Sequence, residues 1–207
     1  MIQRTMKSTD SVLYYDYHAQ KLKNQWTFEK AQADLIPFLE ELKSNGRILD
    51  LGCGSGLDLK SMREAGFEPV GLDASAQMIQ FSKELNPEVL LLHKNFLFLT
   101  LKEEEFDGVW ASHSLSLLSS ESAQRVVATC FRGIKRGGVL GIVLEEGEGF
   151  YEDRGTDLSG PSRTVYLYSE KAICSMLEQT GFQILKVGRK KSPAFEKAEL
   201  LILAKRI

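Results

Sequence analysis

The sequence reads as an open α/β sheet, mostly parallel, on three grounds. From Arg47 onward short apolar runs alternate with stretches of helical periodicity, the pattern of strands joined by crossover helices. The first run, RILDL over 47–51, breaks at once into Gly52, Gly54 and Gly56 before a helix-compatible stretch that starts at Leu57. That is a buried strand, a glycine loop and a helix, a unit in which the backbone offers its N–H groups to a polar ligand. The third observation is acid placement: Asp50 lies in the first strand and Asp73 closes the second, at the carboxyl edge where such sheets hold ligands.

The chain of 207 residues is 43% apolar, enough for one packed domain and short for two. We expect a single domain over 1–207, with a helical cap over 1–45 and the α/β core over 46–207. Lysine and arginine number 26 against 28 acids, with a pI near 6.0, so charge provides no reason to expect a nucleic-acid partner. Cys53, Cys130 and Cys174 are far apart and odd in number, which suggests neither a disulfide framework nor a zinc site; no metal is expected. MIQRTMKSTD lacks the apolar core of a signal peptide. The most apolar stretch, 89–101, is interrupted at His93, Lys94 and Asn95 and is too short to span a bilayer. A cytoplasmic protein without membrane association is the expectation.

In chain order, residues 10–44 read as helix, with Asp10 as N-cap and Pro37 starting or kinking the later part. Tyr14, Tyr15, Tyr17, His18 and Trp26 make this segment aromatic, as suits either packing on the sheet or a lid. The second strand spans 68–73, and Ser75 caps the helix that follows. A third strand over 88–92 leads into His93, Lys94, Asn95 and Phe96, and a fourth over 106–113 ends in ASHSLSLL. Residues 121–135 form an amphipathic helix, and Arg136, Gly137 and Gly138 turn into a strand over 139–144. The polar segment EEGEGFYEDRG is too long for a bare turn. Residues 163–168 alternate as a short strand, 169–180 form a helix closed by Gly181, and strands over 182–187 and 199–205 follow, joined near Ser192 and Pro193.

Residues 48–56 resemble the first motif of the class I S-adenosylmethionine-dependent methyltransferases, and LDASAQMI, the R-G-G turn and the final pair of strands follow that family's order. The resemblance implies a Rossmann-like open twisted sheet of about seven strands, the last antiparallel, with helices on both faces. It implies S-adenosyl-L-methionine as cofactor, contacted by Asp50, Gly52, Cys53, Gly54, Asp73, Ala74, Met78, Asn95, Phe96 and Ser112. Asp50 would orient the amino group of the methionine half, Asp73 would take the ribose diol, and Asn95 and Phe96 would meet the adenine. The implied reaction is methyl transfer to a small-molecule acceptor, with His113, Glu146, Tyr15 and His18 as candidate bases or substrate orienters. Two departures stand out: Leu117 falls where relatives carry His, and Glu145 where a Lys is expected. They keep open a non-catalytic cofactor-binding sensor. An NAD-type oxidoreductase is the other rival, and Leu57 in place of the third fingerprint glycine argues against it.

Overall fold

The computed structural model describes residues 9–25, 28–155, 159–191 and 198–207. Seven strands form one sheet: β1 (Arg47–Leu51), β2 (Glu68–Asp73), β3 (Leu90–His93), β4 (Phe106–Ser112), β5 (Ile134–Glu145), β8 (Phe182–Lys191) and β9 (Ala198–Arg206). Their order is β3-β2-β1-β4-β5-β9-β8. The pairs from β3 through β5 are parallel, and β9 runs antiparallel to both β5 and β8. The chain order reverses direction between β1 and β4, which places a crevice at the carboxyl ends of those two strands.

Helices cover both faces because alternate strand residues are apolar on both sides. On one face Leu49, Leu51, Val109, Ala111, Leu140 and Ile142 pack with α5 (Ser120–Gly133) and α6 (Glu170–Thr180). On the other, Ile48, Trp110, Val139 and Val143 pack with Leu35 and Phe38 of α2 (Phe28–Glu40) and with Leu59 and Met62 of α3 (Leu57–Glu64). Helix α1 (Thr9–Gln25) packs across α4 (Ala76–Leu85) at the carboxyl edge of the sheet.

Several boundaries differ from the sequence reading for identifiable reasons. Asp10 lies inside the first turn of α1 and is not its cap, and Pro37 sits within α2 without starting a new helix. Strand β3 begins two residues later than expected. Residues 136–138 do not form a turn between helix and strand: β5 starts at Ile134, and its register on β4 jumps from Phe106↔Ile134 to Gly108↔Val139, so the glycines sit in a bulge. Part of the polar segment after β5 is a strand, β6 (Phe150–Asp153), which pairs with β7 (Arg163–Tyr166) as a separate two-stranded hairpin. Trp26 and the connection at Ser192 and Pro193 lie outside the described residues.

Candidate active site

The glycine loop is pinned by β2. Gly52 N–H and Cys53 N–H both donate to Leu72 O, at 2.8 and 3.0 Å, and Gly54 N–H donates to Asp73 Oδ2 at 2.9 Å. The other Asp73 oxygen accepts from Ser75 N–H at 2.8 Å, so one carboxylate ties together the loop after β1 and the turn after β2. Burial raises the Asp73 pKa, against the opposing effect of the N–H groups of Ser75, Gly54 and Ala74. A carboxylate has about four acceptor directions, so Asp73 retains capacity for a further donor such as a hydroxyl of a diol. Gly52 has a φ of 83°, and a Cβ there would stand 2.8 Å from Ser114 Cβ; only glycine fits.

A pocket opens above this loop. Gly52, Gly54, Asp73 and Ala74 form its floor; Asn95, Phe96, Ser114 and Leu117 form its far wall. Val12 and Tyr15 of α1 form its roof. The roof is fastened: Ser75 Oγ, which also caps α4 through Met78 N–H, donates to Asp16 Oδ1 at 2.6 Å. With α1 in this position the space over the loop is about 80 Å³ and is partly open to solvent, below the roughly 300 Å³ at which small-molecule pockets begin.

Of the residues singled out from the sequence, Tyr15, Gly52, Gly54, Asp73, Ala74, Asn95 and Phe96 come together around this pocket. The others do not line it. Asp50 is buried beneath the loop, Cys53 is a buried thiol whose pKa burial pushes well up, and Met78 is fully buried in the first turn of α4. Ser112 ends β4 and His113 follows it. His18 lies between the Tyr14 and Tyr17 rings, at centroid distances of 4.5 and 4.9 Å. Glu146 is held by Arg189 through two contacts of 2.7 and 2.6 Å. Asn95 Oδ1 accepts from Leu97 N–H at 2.9 Å, capping the short 3-10 helix Phe96–Phe98.

Other residues at the site carried no clear sequence signal. Asp16 and Ser114 are ordinary polar residues until the fold brings them to Ser75 and Gly52. Arg163 of β7 pairs with Asp153 of β6 at 2.9 Å, donates to the Tyr15 hydroxyl and stacks over the Tyr14 ring. Both oxygens of Glu145, 3% exposed, accept from the Tyr151 hydroxyl, at 2.9 and 3.0 Å. The hairpin β6–β7 is thus joined by polar contacts to the end of β5 and to α1.

Residues 48–138 match the methyltransferase domain family. That stretch contains the glycine loop, Asp73, Asn95 and the end of β4. Over those residues the chain is similar to methyltransferase domains. A malonyl-[acyl-carrier protein] O-methyltransferase of Enterobacter lignolyticus is 29% identical over 112 residues, covering 54% of this chain and 44% of that protein. A demethylmenaquinone methyltransferase of Renibacterium salmoninarum is 28% identical over 120 residues, covering 58% and 46%. The chain therefore aligns with less than half the length of these curated relatives. Among solved structures, 1,6-didemethyltoxoflavin-N1-methyltransferase of Burkholderia thailandensis, bound to its substrate and S-adenosylhomocysteine, superposes with a TM-score of 0.77 at 17% identity, over 99% of this chain and 93% of that one. The [4+2]-cyclase SpnF superposes with a TM-score of 0.69 at 18% identity, over 86% and 81%. At such identities the likeness concerns the fold.

S-adenosylmethionine, the cofactor of such domains, carries a sulfonium and an ammonium over one carboxylate. Asp50, Asp58 and Asp73 crowd the loop. Burial, then Asp58 and Asp73, raise the Asp50 pKa well above the carboxylate range, and Asp50 Oδ2 has no hydrogen-bond partner among the described residues. Burial likewise pushes Asp58 up to about 6 against the opposing hydrogen bond from Trp110 Nε1–H at 2.7 Å. Ser114 Oγ, on a residue 4% exposed, also has no partner among the described residues. Buried acids and an unsatisfied hydroxyl cost free energy when left alone, and a dicationic ligand with a diol is of the chemistry that satisfies them. The residues present fit S-adenosylmethionine.

Proposed function

We propose that this chain binds S-adenosylmethionine at the pocket over Gly52 and Gly54 and catalyses transfer of its methyl group to a small-molecule acceptor. The observation that carries this reading is the Asp73 carboxylate, locked by Gly54 and Ser75 N–H groups on the pocket floor. In this reading Asp73 holds the ribose diol, Phe96 and Asn95 border the adenine, and the acids beneath the loop favour the positive methionine end. The cofactor supplies an activated methyl on a sulfonium, so the chain's own work is alignment, which contributes up to roughly 7 to 11 kcal/mol. Tyr15 and the hairpin β6–β7 border the acceptor side, and Leu117 supplies an apolar wall.

Support for a small acceptor comes from the near-neutral charge balance and from the small substrate named for the Burkholderia thailandensis structure. We also place the protein in the cytoplasm; among the described residues no helix is long and apolar enough to cross a membrane. The test is calorimetric titration with S-adenosylhomocysteine, followed by a coupled release assay over thiols, amines, phenols, carboxylates and metalloid oxyanions. Binding together with turnover of one acceptor is expected. Binding without turnover on any acceptor, including one borne on an acyl carrier protein, would favour the sensor, and tight NADH binding with no response to S-adenosylhomocysteine would overturn the reading.

A further inference from the structure

The sheet has two edges, and their sequences differ in kind. Among the described residues β8 ends the sheet on one side and β3 on the other. Strand β8 carries Lys186, Arg189, Lys190 and Lys191, and its register on β9 shifts between Ile184 and Lys186. Charges and a bulge of this kind keep a further strand from adding to an edge. Strand β3 has neither: Leu90, Leu91 and Leu92 fill it, and its register on β2 runs evenly from Leu90 to His93. Leu90 is 53% exposed, and Phe98, on the 3-10 helix that follows, is 79% exposed.

The bound side of β3 defines its open side. Lys94 N–H donates to Asp73 O of β2 at 2.9 Å, and main-chain groups alternate in direction along a strand. Leu92 and Lys94 therefore turn their N–H and C=O groups toward β2, while Leu91 and His93 turn theirs outward. A strand of four residues gives a short ladder, so an added strand needs support from the flanking side chains. Those flanks carry opposite charges. Glu88 before β3 and Lys94 after it are both exposed, and neither has an ion pair among the described residues.

We propose that the β3 edge pairs with the β3 edge of a second copy of this chain, antiparallel, about a twofold axis at Leu91. In that register the two Leu91 residues exchange their outward main-chain hydrogen bonds, and Leu90 of one copy faces Leu92 of the other. The Glu88 end of one strand meets the Lys94 end of the other, and the axis repeats the pair. The charges select this register, because a slide that sets Leu92 against Leu92 takes Glu88 away from Lys94. Leu90 shares a sheet face with Leu92, which packs against the core on the α5 side, and the 3-10 helix that carries Phe98 touches α5 as well. The exposed apolar groups of this edge thus lie on one side of the paired strands. Asn95 and Phe96 of the pocket wall follow directly on β3, so the pairing also braces that wall.

Sedimentation velocity from about 1 μM to about 100 μM protein tests the pairing, and a reversible dimer is expected. Glu88→Lys and Lys94→Glu each set like charges against one another twice per dimer, and each should weaken association about tenfold or more. The combined Glu88→Lys/Lys94→Glu variant restores opposite charges and should recover wild-type association. Leu90→Lys alters a side chain already exposed in the single chain; it should keep the native circular dichroism and abolish the dimer. A wild type that stays monomeric overturns the proposal and leaves this edge to a strand of another protein. A dimer that survives Leu90→Lys and both single reversals overturns it too, because the contact then lies on another surface. Failure of the combined variant to recover what the single reversals lose overturns the register.

Discussion

Asp58 sits in the first turn of α3 with one oxygen on the indole of Trp110 and the other without a partner among the described residues. Its pKa of about 6 in the folded chain lies above the ordinary value of 3.8, so the folded state holds the proton more tightly than the unfolded one. The charged carboxylate therefore weakens the fold at neutral pH, and the penalty fades as pH falls through about 6. Asp58→Asn keeps an acceptor for Trp110 and should stabilise the free protein by about 1 to 3 kcal/mol at pH 7, as read by urea denaturation; a loss of stability would contradict this. Binding a cation has the opposite sign, because it favours the ionised forms of Asp50 and Asp58. S-adenosylmethionine affinity should accordingly fall as the pH is lowered from about 7.5 to about 5.5, and the slope should flatten in Asp58→Asn. A pH-independent dissociation constant would mean that these acids do not sense the ligand.

Helix α1 and the hairpin β6–β7 meet through Arg163, Asp153, Tyr14 and Tyr15. Breaking a largely buried ion pair by removing one partner costs about 3 to 5 kcal/mol, so Arg163→Met should free the hairpin, and amide exchange over 150–153 and 163–166 should rise while the central strands keep their protection. The narrow pocket adds a second expectation for α1. Adding S-adenosylhomocysteine should change exchange across residues 11–16, which roof the pocket; unchanged exchange with full binding would mean that the ligand enters elsewhere. These elements also mark the limit of what the sequence discloses. The strand-loop-helix unit, Ser75 as a cap and Asp73 at a strand end are local patterns, and each has its expected place in the fold. The hairpin strand Phe150–Asp153 was hidden because its glycine-rich, acidic surroundings read as loop and its partner strand lies ten residues farther on. The Ser75–Asp16 contact, Arg163 at Tyr15 and Glu199 beside His113 are pairings between distant residues, and no local spacing reveals them.

Across the whole sheet, strand order and parallel pairing bring the ends of β1, β2 and β4 to one edge, and the glycine loop, Asp73 and Ser114 gather there. The same arrangement holds in proteins with other chemistry, as the likeness to the [4+2]-cyclase SpnF illustrates, so the fold identifies a binding edge and the side chains must specify the reaction. We propose that S-adenosylmethionine is held at this edge by Asp73. Titration calorimetry of wild type and Asp73→Ala with S-adenosylhomocysteine, each checked for native circular dichroism, decides it. Clear binding to the wild type and a loss of at least about tenfold in the folded variant, the equivalent of about 1.4 kcal/mol, are expected. Equal affinity in the two proteins would rule Asp73 out as a cofactor contact.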